Sequence, residues 1–155
     1  MENIGVKIFS SINFYERYKS LSNETRKIEE RLEKTEKKVV LNTLRELGYE
    51  SNFVSKGQFY RIADTVSDWD FNLHLSIKYG VVEVILGGKN NSTNLVFGGP
   101  ASLICESIEY SRGIKSDGLV KKPSFNTYEI LKEIFKEVIS LYEEMKKETL
   151  TNHPA

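Results

Sequence analysis

Residues 71–86, FNLHLSIKYGVVEVIL, constrain the fold more than any other stretch. Phe71, Leu73, Leu75 and Ile77 alternate with Asn72, His74, Ser76 and Lys78, the period of two that sends successive side chains to opposite faces of a strand. A two-residue turn at Tyr79-Gly80 places Ile77 opposite Val82, Leu75 opposite Val84 and Leu73 opposite Leu86. On the other face Ser76 meets Glu83 and His74 meets Ile85. A slip of one residue would turn every aliphatic side chain to water, so the pattern predicts the register as well as the hairpin.

Strand signals continue on both sides. SNFVSKGQFYRIA (51–63) reads as two short strands about a Ser55-Lys56-Gly57 turn. In ILGGKNNSTNLVFGGP (85–100), Gly87-Gly88 is expected to end one strand and Asn90 to Asn94 to turn the chain. NLVFG forms the next strand, and Gly98-Gly99-Pro100 a corner into a helix. Glycines before a helix can cradle a phosphate. This stretch has neither the G-x-G-x-x-G order nor the Gly-Lys-Ser/Thr ending of phosphate loops, so it reads as a hairpin loop and a corner. Leu103, Ile104, Ile108 and Ser111 keep helical spacing beyond it, up to Gly113.

Helical signals flank the strands. Phe14, Tyr18, Leu21, Thr25, Ile28, Leu32, Thr35 and Val39 step by fours and threes, with Glu30–Lys34 and Glu33–Lys37 as i,i+4 pairs and Gly48 as the stop. Ser20, Ser22 and Asn23 compete for backbone hydrogen bonds, so two helices are expected, 12–20 and 23–47. Their heptad face suits the core, or pairing of the longer helix with a second copy in a homodimer. Asn126 three residues before Glu129 resembles a capping box. Ile130, Ile134, Val138, Leu141 and Met145 mark a helix from there to about Lys147. Residues 1–12 and 148–155 are expected to fray. The expected fold is a single α+β domain over 1–155, in the order α(α)ββββαα. Its antiparallel sheet of about four to five strands is covered by the N-terminal and C-terminal helices.

The chain carries 22 Lys plus Arg against 22 Asp plus Glu, balanced along its length as well as in total. Nucleic-acid binding and anionic membrane surfaces both ask for clustered positive charge, so neither is expected as a partner. The longest apolar runs are far too short to span a bilayer. A lone cysteine, Cys105, makes no internal disulfide or metal pair and sits mid-helix, which suits a small buried side chain in a reducing, cytoplasmic setting. No cofactor motif is present, and none is expected.

Candidate chemistry is sparse. Asp70 and His74 share one strand face, and Glu83 is the one evident recruit for a metal or proton site there; a solvated sheet face is the plainer reading. A thiol at Cys105 lacks the helix N-terminus that would activate it. ADTVSDWDF (63–71) is more suggestive: Asp64, Asp68 and Asp70 surround Trp69, the single tryptophan. Such a tryptophan either plugs the core or anchors an interface within an acidic rim. The expected partner-binding residues are Asp64, Asp68, Trp69 and Asp70 with Lys89, Asn90 and Asn91 of the 88–94 loop, and no catalytic residue is expected.

The charged helix ending TLRELGYE, the strand pair in WDFNLHLSIKYGVVEVIL, the GGPASLICESI corner and the Lys/Glu/Asn/Ile-rich usage are together similar to the small immunity proteins of bacterial polymorphic toxin and contact-dependent inhibition systems. That resemblance implies a cytosolic, non-enzymatic protein that binds a cognate toxin domain and occludes it. Two other readings stand beside it: a secretion chaperone-like binding module, against which the neutral charge counts, and a small metal-dependent enzyme using Asp70, His74 and Glu83.

Overall fold

The computed structural model describes residues 3–26 and 30–154. Its elements run α1 (Ile4–Ser11), α2 (Phe14–Thr25), α3 (Lys37–Glu46), β1 (Asn52–Val54), β2 (Phe59–Val66), β3 (Trp69–Lys78), β4 (Val81–Asn90), β5 (Val96–Pro100), α4 (Ala101–Ser111) and α5 (Tyr128–Asn152). The strands form one antiparallel meander in chain order, β1-β2-β3-β4-β5. The fold is therefore α+β as the patterns predict, with helices before and after the sheet.

The central hairpin has the expected register: Leu73↔Leu86, Leu75↔Val84, Ile77↔Val82, His74↔Ile85 and Ser76↔Glu83. Tyr79 and Gly80 both have positive φ, 53° and 72°, which is the two-residue turn whose twist suits a right-handed hairpin. Glycine is also required there by space, since a Cβ at Gly80 would lie 2.5 Å from Cβ of Arg31. β4 runs through the first glycine pair to Asn90 instead of ending at it.

One sheet face carries Tyr60, Ile62, Trp69, Phe71, Leu73, Leu75, Val82, Val84, Leu86 and Phe97. All of them join a single core with buried side chains of α1, α2, α3, α4 and α5. The alternate positions Asn72, His74, Ser76 and Lys89 lie outside that core. α5 is the main cover, burying Leu131, Ile134, Phe135, Val138, Leu141, Tyr142 and Met145. Each such side chain contributes about 1.5–3 kcal/mol on leaving water.

Three helical expectations need correcting. The segment 1–12 does not fray where it is described: Asn3 caps α1 by accepting from the Val6 N–H at 2.8 Å, and Ile8 and Phe9 are buried. Asn13, in the left-handed region, turns the chain directly into α2. The break in the heptad stripe comes after Thr25, not at 20–23. Residues 30–36 are not helical, and the Glu30–Lys34 and Glu33–Lys37 pairs have no helix to lie on. The reason is tertiary: the Leu32 N–H donates to Phe125 O at 2.9 Å and the Glu36 N–H to Tyr128 Oη at 3.0 Å, so both amides are committed outside any helix. Of the stripe, Phe14, Tyr18 and Thr25 face the core, while Ile28 lies outside the described residues. The expected helices 12–20 and 23–47 are thus replaced by α2 and the shorter α3. At the other end α5 starts one residue late, on Thr127, whose hydroxyl accepts from the Ile130 N–H at 3.1 Å. It runs past Lys147 to Asn152, with Thr149 fully buried, so the expected fraying at 148 is also corrected.

Candidate functional site

The two loops singled out by sequence meet at one end of the sheet. β2 and β3 are joined by a tight turn at Ser67-Asp68, where Val66 pairs with Trp69. Trp69 in turn pairs with Asn90, at the mouth of the β4–β5 loop. A backbone bond pins the loops together: the Asn91 N–H donates to Asp68 O at 2.7 Å. Asp70 adds a second tie, accepting from Thr65 Oγ1 at 2.7 Å and from Asn91 Nδ2 at 3.0 Å. These two hydrogen bonds, helped by the nearby Lys89 ammonium, hold the Asp70 carboxyl below the usual carboxylate range. The β4–β5 loop is ordered from within by Asn90, whose Oδ1 accepts from the Ser92 and Thr93 N–H groups at 2.9 and 3.0 Å.

Four of the seven expected contact residues therefore come together on the surface: Asp68, Asp70, Lys89 and Asn91. The other three have different work. Trp69 is 0 % exposed, stacked on Phe71 at 5.9 Å between centroids and set edge-on to Phe97 at 5.6 Å. It plugs the core and offers nothing to a partner. Trp69 leads the alternating apolar set of β3, and the acids around it sit at positions of opposite or looser facing. Asn90 is equally buried and supports its own loop. Asp64 lies in β2, not in a loop, and is turned to α5: it accepts from Tyr142 Oη at 2.8 Å and from Lys146 Nζ at 2.9 Å.

With Asp64 so engaged and Asp70 facing Lys89, the acidic rim expected around Trp69 is largely neutralised. What the sequence reading missed is apolar. Val96 is 67 % exposed, directly across from Lys89, and its neighbour in sequence Leu95 is 40 % exposed. The signal was present in NLVFG, where Phe97 faces inward and so sends Val96 outward.

Asp64 gives the site's support a testable pH dependence. Burial opposes its ionisation, but the bonds from Lys146 and Tyr142 prevail and hold the carboxyl below its ordinary value of 3.8. A carboxyl depressed in the folded state contributes stability above its unfolded value and loses it as pH falls through the folded one. Asp64→Asn is therefore expected to cost about 1 kcal/mol at pH 7, a figure discounted for partial exposure. The cost should vanish in urea titrations at pH well below 3.8. An equal loss at both pH values would remove the ionic explanation.

Asp70, His74 and Glu83 do not converge. Asp70 is held by Thr65 and Asn91, His74 stacks on Phe59 at 4.2 Å, and Glu83 pairs with Lys122 at 2.8 Å. Burial first, and then the Arg61 charge, push the His74 imidazole below its ordinary value. Among the described residues no group of three His, Cys, Asp or Glu is placed to hold a metal ion. Cys105 is buried mid-helix, and burial pushes its thiol up to about 12. No described helix is long and apolar enough to cross a membrane. Comparison with protein-family models, with curated proteins and with solved structures finds no match to this chain.

Proposed function

We propose that this chain is a non-enzymatic immunity protein that acts in the cytoplasm, binding a cognate toxin domain through the sheet tip and occluding it. The observation carrying this reading is the combination at the tip of exposed Val96 with polar groups already tied to one another. Val96, with Leu95 next to it, supplies an apolar centre, and Asp68, Asp70, Lys89 and Asn91 supply the rim. The Asn91–Asp68 and Asn91–Asp70 bonds fix the loops before any partner arrives, which lowers the ordering cost of association. The tip is close to neutral, so shape and apolar contact would dominate affinity there, with charge steering a minor factor.

The test has two stages. The tagged protein is captured from its native host, and a stoichiometric partner is identified by mass spectrometry. That partner is then expressed alone and together with this chain. Growth arrest by the partner, relieved by the chain but not by its Val96→Asp/Asp68→Lys variant, is the expected result. A partner that is harmless alone, or a variant that protects as well as the parent while folded, would overturn the reading.

A further inference from the structure

A second surface lies away from the tip, where the α4–α5 connection crosses between α2, α4 and β4. Its wall is strapped at both sides. Ser102 Oγ donates to Val120 O at 2.7 Å, Ser22 Oγ donates to Lys121 O, and the Val82 N–H donates to Pro123 O at 2.9 Å. Phe125 N–H then closes on Gly80 O at 2.9 Å. The stretch 120–125 is thus fixed in place, and it leaves a preformed cleft of about 500 Å³ beside it. That size lies within the range of about 300–1,000 Å³ of small-molecule sites.

The cleft is apolar inside and positive outside. Val84 and Ala101 line it, and Leu103 and Leu119 stand 47 % and 49 % exposed along it. Four basic side chains line its rim, Arg26, Arg31, Lys121 and Lys122, against a single carboxylate, Glu83. Lys122 is matched to Glu83 at 2.8 Å. Among the described residues no ion pair engages the other three, so a chain of zero net charge gathers four basic side chains and one carboxylate around one greasy cleft. We propose that this cleft binds a small amphiphilic anion: an alkyl chain laid along Leu103 and Leu119, with a carboxylate or phosphate head met by Arg31 and Lys121. Neither part alone selects such a ligand. The apolar lining rejects a small inorganic anion, and the guanidinium and ammonium groups disfavour a neutral lipid.

Calorimetric titration of the intact chain with decanoate, decyl phosphate and decanol, each kept below its aggregation threshold, tests this. One-to-one binding of at least one of the two anions, at least 10-fold tighter than decanol, is expected, and the tighter head identifies the source. Arg31→Glu/Lys121→Glu should weaken that anion at least 10-fold with no change in thermal midpoint, because both side chains are exposed. Failure of both anions to bind, equal affinity for decanol, or indifference to the double reversal would each overturn the proposal. Sedimentation with anionic phospholipid vesicles in the absence of one-to-one binding would overturn it as well, in favour of a membrane surface. The tip variants used to test toxin binding leave this cleft untouched, so the two readings fail separately.

Discussion

Trp69→Ala is expected to lower the unfolding free energy by about 3–5 kcal/mol, the usual cost of emptying a core aromatic site. For a chain of this size that corresponds to a fall of about 6–20 °C in Tm. The indole is fully buried and touches two other aromatic rings, so no rearrangement of surface groups can refill its volume. Because it is the single tryptophan, the loss must be followed by circular dichroism instead of fluorescence. Its Nε1 has no hydrogen-bond partner among the described residues, which suggests a second variant. Trp69→Phe keeps a ring and drops the unpaired donor, and should recover most of the loss. Asp68→Lys, one residue away and exposed, should leave the midpoint within about 0.5 kcal/mol while affecting partner binding. If Trp69→Ala instead unfolded like the parent and lost the partner, the tryptophan would be a contact residue after all.

Gly98→Ala should be comparably damaging for a different reason. Gly98 pairs with Gly87, has φ +104°, and a Cβ there would lie 2.2 Å from Leu86 O and 2.5 Å from Gly87 Cα. Both obstacles are backbone, so β4 and β5 must part. Strain at the positive φ adds about 1–3 kcal/mol and overpacking about as much again, giving a loss of about 2–6 kcal/mol. Gly99→Ala is the internal control, since its φ is +147° but nothing lies within 4 Å of the added carbon. It should show the backbone cost alone. Equal losses in the two variants, measured by urea unfolding, would mean that the close approach of the strands is not what demands glycine. Partner binding should fall with Gly98→Ala beyond the loss of folded protein, because β5 carries Val96 into the tip.

The sheet was legible because its information is local. Alternation over 71–86, with a glycine at the turn, specifies both strands and their register, and every expected cross-strand pair is present. The helix boundaries were less so. The threes and fours from Phe14 continue through Leu32 to Val39, yet the backbone at Leu32 and Glu36 bonds to Phe125 and Tyr128, some ninety residues away. No local pattern encodes such a contact. α1 was overlooked although Asn3 and the spacing Ile4, Ile8, Ile12 announce a capped helix. At the candidate site, bringing Asp68, Asp70, Lys89 and Asn91 together depended only on the meander. Deciding that Trp69 points inward depended on extending the phase of β3 by one more residue pair past Phe71.

The order of elements along the chain also bears on synthesis. All five strands are complete by Pro100, but the core that takes in Trp69, Phe71, Leu73 and Leu75 is completed only by α5, whose last buried residue is Thr149. On the ribosome the meander can assemble early, since each strand pairs with its neighbour in sequence. At about 5–20 residues per second its sticky side then waits some seconds for its lid. A partner or chaperone that recognises that uncovered face would have a brief opportunity that the finished protein withdraws, and slow codons between α4 and α5 would lengthen it.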